Sequence, residues 1–144
     1  MTLLNRGWIV LLLIVSAFGS NSPALAARPV TLPDAEKITS IEVTPNVSEQ
    51  PKTTVITDKD RIGQFVAFVN ARPTGWKRPW FTFPAGEYTV TVKQGEKYLA
   101  AFWISRNELG GTRYDNSEPK QLRSLSKTEW QKLQAILGLQ LNRP

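Results

Sequence analysis

The stretch Glu87-Tyr88-Thr89-Val90-Thr91-Val92-Lys93, then Gln94-Gly95, then Lys97-Tyr98-Leu99-Ala100-Ala101-Phe102-Trp103-Ile104, decides the fold. Its first part alternates strictly between polar and apolar residues, the period of a strand with one face buried. Gln94-Gly95 supplies a turn, so the two apolar runs make a β-hairpin. The second run is apolar on both faces, which makes register consequential. A two-residue loop sets Val90 opposite Leu99, and a three-residue loop sets it opposite Ala100. A slip of one residue exchanges the faces of the second strand. Either register leaves a large apolar set, Leu99 with Trp103 or Tyr98 with Phe102, turned away from the main core and in need of cover.

Upstream of the hairpin, Ile41-Glu42-Val43-Thr44-Pro45 alternates as a first strand, and Thr53-Thr54-Val55-Ile56 is β-branched throughout, as suits a short second one. Asn46 to Lys52 is a polar loop with a proline. Thr57-Asp58-Lys59-Asp60 opens a helix: Thr57 is placed to accept from the amide three residues on, and the acids sit at the positive end of the helix dipole. Ile62, Phe65, Val66 and Val69 then recur at helical spacing, and Pro73 ends the helix near Asn70-Ala71-Arg72. Downstream, Arg106 to Pro119 reads as a long polar loop with room for a short strand around Thr112-Tyr114. Ser126-Lys127-Thr128-Glu129 is a capping box directly before Trp130, Leu133, Ile136 and Leu137, and Gly138 stands where helices end. Trp130, in the first turn, reads as core.

This order predicts an α+β fold, a small antiparallel sheet of about four strands with two helices packed on one face. The chain divides into a signal peptide over 1–26, an extended, loose lead-in over 27–40, a single α+β domain over 41–139 and a tail over 140–144. The first division rests on a short head carrying Arg6, the apolar run Trp8 to Phe18, the breakers Gly19 to Pro23, and the small residues Ala24 and Ala26 on either side of Leu25. The run is well short of the roughly 20 residues that cross a bilayer. The expectation is therefore cleavage after Ala26, a periplasmic or secreted location and no stable membrane span afterwards. Without a cysteine after the run there is no site for a lipid anchor.

Composition narrows the chemistry. The 144 residues include no Cys and no His, with 18 Lys+Arg against 12 Asp+Glu and a net charge of +6. A chain of this length forms one ordinary domain. Disulfides, thiol nucleophiles, thiolate-bound zinc and every histidine-dependent triad are excluded. The acids follow no calcium-loop spacing, and Gly110-Gly111 lacks the context of a phosphate loop. No cofactor or metal is expected, and the chain reads as a non-enzyme. A less favoured alternative is a small glycan hydrolase using carboxylates drawn from Glu87, Glu108 and Asp115. The cations are spread along the chain and export removes it from cytoplasmic nucleic acid, so no nucleic-acid partner is expected.

What remains is surface. Trp76-Lys77-Arg78-Pro79-Trp80-Phe81-Thr82-Phe83 packs four aromatics and two cations into eight residues. Phe81 and Phe83 alternate about Thr82 as a strand entering the sheet. Trp76, Lys77, Arg78 and Trp80 are candidate ligand residues, since rings stack on sugars or other rings and Arg forks onto carboxylate or phosphate. Arg106, Arg113 and Tyr114 form a second candidate surface on the long loop. The residues point to an exported binding module of the bacterial envelope, meeting either a protein, in an inhibitor, immunity or accessory role, or an anionic cell-wall glycan. The alternative is a structural envelope protein that associates with itself through the edge beside the short second strand.

Overall fold

The structure, a computed structural model, describes residues 28–79, 86–114 and 120–140. The signal peptide, Trp80, Phe81, Phe83 and Asp115 lie outside the described residues. The elements are β1 (Ser40–Pro45), β2 (Thr54–Ile56), α1 (Lys59–Asn70), β3 (Tyr88–Gln94), β4 (Lys97–Ile104), β5 (Glu108–Arg113), β6 (Gln121–Ser124) and α2 (Lys127–Leu137), with a 3-10 turn at Ala35–Lys37. The strands form one six-stranded sheet in the order β2-β1-β3-β4-β5-β6, every pairing antiparallel. The α+β class holds, with six strands in place of about four.

The two further strands fall within the segment expected to be a loop and just beyond it. β5 is Glu-Leu-Gly-Gly-Thr-Arg, and glycine ordinarily weakens a strand. Here the partner strand requires it. Gly111 lies opposite Phe102, and a Cβ on it would stand 2.9 Å from the Phe102 ring and 3.2 Å from Val30 Cγ2. Gly110 lies opposite Trp103 on the other face. Gly111 thus makes space for the Phe102 ring on the buried side of β4.

Neither expected hairpin register occurs. Gln94 pairs with Lys97 and Lys93 with Tyr98, but Val92 pairs with Ala100, so Leu99 is a bulge and Val90 stands opposite Phe102. The extra residue turns the faces of β4 over part-way along it. Ala100, Phe102 and Ile104 therefore line up with Val92, Val90 and Tyr88, and with Ile41 and Val43 of β1, on the buried face. Tyr98, Ala101 and Trp103 point the other way.

Both helices cover the buried face. Ile62, Phe65, Val66, Phe68 and Val69 of α1, and Trp130, Leu133, Ile136 and Leu137 of α2, join the sheet residues in one core. Phe65 meets Phe102 edge to face at 5.4 Å between centroids. The N-cap of α1 is Asp58, one residue later than expected, with Oδ1 accepting from Arg61 N at 2.8 Å. Asp58 shares with threonine the short polar side chain that a cap needs. The capping box of α2 forms as its sequence implies, Ser126 accepting from Glu129 N and Glu129 Oε2 from Ser126 N. Gly138 closes α2 at φ 67°, a left-handed conformation that favours glycine.

The segment before β1 is packed, not loose. Val30, Leu32 and Ile38 are buried, and Leu32 exchanges two hydrogen bonds with the Asn70 side chain, at 2.8 and 3.0 Å. Burying three apolar side chains secures a stretch that carries no periodic pattern of its own.

Candidate binding face

Both described helices lie on one side of the sheet, and the residues of the other face form a second surface. Cross-strand register places its residues. One row runs Thr44, Thr89, Trp103, Gly110 and Leu122; the next runs Val55, Glu42, Thr91, Ala101 and Thr112. Lys77 extends the first row, because it forms a β-bridge with Leu122, its amide and carbonyl bonding those of Leu122 at 2.7 and 2.8 Å.

Two aromatic–cation groups stand on this face. Tyr98 and Tyr114 are 51% and 56% exposed and lie 5.8 Å apart at a tilt, with Lys93 Nζ 5.0 Å from the Tyr98 ring. Tyr114 reaches this position through its backbone bond to Leu99 O, the bulged residue. In the second group Lys120 Nζ sits 4.8 Å over the half-buried Trp103 ring. The bulge is what carries Tyr98 to the same face as Trp103.

Lys93 also binds Glu42 Oε1 at 3.0 Å, and chiefly that hydrogen bond raises its pKa above the ordinary lysine value. Its charge is fixed across the physiological range. Around these groups the face is hydroxyl-rich. Thr44 and Thr53 share a hydrogen bond of 2.8 Å, and Thr89 donates to Asn46 Oδ1 at 3.0 Å. Rings, ammonium groups and hydroxyls on one face can stack, pair and hydrogen-bond with a ligand.

The loop expected to carry the ligand divides. Trp76 is 6% exposed and its Nε1 donates to Arg72 O at 2.8 Å, which removes it from any aromatic surface. It is held by a charged junction absent from the expected sites. Arg72 donates from Nε to Glu129 Oε1 at 2.8 Å and also bonds Phe68 O, its guanidinium 3.4 Å from the Phe68 ring. Arg123 Nη2 meets the same Glu129 oxygen at 2.9 Å, and its Nη1 donates to Thr74 O. Glu129 thus ties α1, α2 and β6 together. Burial disfavours its charge, yet the Ser126 N–H and the two guanidiniums outweigh that and hold its pKa below the ordinary carboxylate value.

Of the other expected site residues, Lys77 and Arg78 are exposed at the β6 edge. Tyr114 belongs to the face opposite the described helices. Arg113 stands opposite Ala100 at the end of β5, with Nη1 3.3 Å from Thr31 Oγ1. Arg106 is exposed and 3.9 Å from Glu87 Oε1, at the outer limit of an ion pair. Glu108 lies on β5 opposite Ser124. Among the described residues no three acidic side chains gather as a metal site, and no helix is long and apolar enough to cross a membrane.

A groove of about 290 Å³ opens elsewhere, between the end of β1 and the end of α2, lined by Val43, Pro45, Lys52, Tyr88 and Leu139 among others. The Tyr88 hydroxyl donates to Gln140 O across it. Burial in the first place, with Glu87 nearby, pushes the Tyr88 pKa up, so the phenol stays protonated near neutrality.

No family model and no curated protein matches this chain. Among solved structures it is similar to the chain called "Putative Lipoprotein from Clostridium perfringens", at 9% identity and a TM-score of 0.46, over 73% of this chain and 90% of that one.

Proposed function

We propose that this chain is an exported, non-catalytic binding module that holds an anionic glycan of the bacterial envelope against the face of its sheet opposite the two described helices. The observation that carries this is the pairing of rings with lysines on that one face, Tyr98 and Tyr114 with Lys93, and Trp103 with Lys120. Sugar rings stack on aromatic faces, the ammonium groups attract carboxylate or phosphate, and the threonines offer hydroxyls to the sugar's own. The excess of cations over acids favours an anionic polymer, and the N-terminal sequence directs the chain to the compartment where such polymers lie.

Co-sedimentation with purified insoluble peptidoglycan tests the reading. The wild-type chain is expected to bind, more weakly as salt rises, and Tyr98→Ala/Tyr114→Ala to bind about tenfold less tightly. Equal binding by wild type and variant would refute it. Soluble fragments released from the polymer would refute the non-catalytic part. If no polymer binds, yet wild type and not the variant retains an envelope protein, the partner is a protein and the face is correctly placed.

A further inference from the structure

We propose that β2 is where two copies of this chain join, strand to strand and antiparallel, about a twofold axis through Val55. The two edges of the sheet differ. Beyond β6, the Lys77 backbone bonds Leu122 in both directions and closes that edge. Beyond β2, no described strand pairs; its one partner is β1. β2 is Thr54-Val55-Ile56, without charge, proline or bulge, and Val55 is 55% exposed. Such an edge is a template for another strand.

Charge selects both the occupant and the register. A twofold antiparallel pairing centred on Val55 sets Thr54 against the partner's Ile56 and Lys52 against the partner's Asp58, and symmetry repeats each contact. Centring on Thr54 would set Lys52 against the partner's Ile56, and centring on Ile56 would set Asp58 against the partner's Thr54. Only the Val55 centre overlaps all three strand residues and places opposite charges face to face. Asp58 caps α1 through Oδ1, which leaves its second oxygen for the partner's Lys52.

Because the axis runs perpendicular to the sheet, both helical layers lie on one side and both ring-and-lysine faces on the other. The joined molecule offers an extended polymer two neighbouring faces, although the pairing itself does not depend on the ligand reading.

Sedimentation velocity on the chain, expressed at full length with its own leader and purified as the cell processes it, tests this over a wide concentration range. A reversible monomer–dimer equilibrium is expected. Lys52→Glu, which sets like charges opposed at two symmetric places, should weaken it about tenfold. Val55→Lys should abolish it, with circular dichroism unchanged in both. A monomer at every concentration would overturn the proposal, as would a dimer whose strength Lys52→Glu leaves alone. Should one variant fail to fold, the other decides the matter.

Discussion

Phe102→Ala is expected to destabilise the protein by about 4 kcal/mol, within the range for emptying a fully buried aromatic site. Phe102 has no exposed surface, meets Phe65 edge to face, and is the residue for which β5 carries Gly111. Truncation removes the ring's burial and its contact with α1 together. The surrounding strands are hydrogen-bonded on both sides of β4 and have little freedom to collapse into the gap. At about 4 °C per kcal/mol for a domain of this size, the midpoint should fall by about 15 °C, read by thermal or urea unfolding. Gly111→Ala approaches the same contact from the other side. It overfills the site, and because the ring or β5 must move, it should cost about 1–3 kcal/mol. A loss below about 1 kcal/mol for Phe102→Ala would mean that the ring does not stand where β4 places it.

Glu129→Gln is expected to cost about 3 kcal/mol at neutral pH, because it leaves two guanidiniums without their counter-charge at a site where all three side chains are no more than 21% exposed. The effect depends on pH in a fixed direction. The Glu129 pKa is lower in the folded chain than in the unfolded one, so its contribution is complete above the unfolded value. It fades as pH falls through the folded value. The gap between wild type and Glu129→Gln should therefore be constant from neutrality down to the ordinary carboxylate range and close below it. Urea unfolding of both proteins at a series of pH values measures this. A gap that stays the same into strong acid would show that the junction acts through shape alone.

Much of this fold was legible because single elements announce themselves. The alternation through Val92, the stripe from Ile62 to Val69 and the capping box at Ser126 each follow from a period or a cap, and each stands where it was expected. The features missed depend on contacts distant in sequence. β5 is hidden because its Gly111 answers to the Phe102 ring on β4, and a local reading scores glycine against a strand. The bulge at Leu99 is set by the fit of a whole sheet face, and no residue of the turn encodes it. The burial of Trp76 was not legible locally because its partner, Arg72, is placed by Glu129, 57 residues further on. The proposed face was legible only in part. The surplus apolar set on β4 was visible, and so was Tyr114, but only the bulge brings Tyr98, Tyr114 and Trp103 to one side. Lys93 and Lys120 were not singled out, since nothing in their neighbourhood along the chain separates them from other surface lysines.

The side of the sheet opposite the two described helices is the proposed ligand surface. Amide NMR spectra recorded during titration with soluble, negatively charged peptidoglycan fragments test it most directly. Shifts are expected at Lys93, Tyr98, Trp103, Thr112, Tyr114 and Lys120 alone, with α1 and α2 unmoved. Shifts centred on the helices or on the groove beside Tyr88, with the proposed face silent, would contradict it.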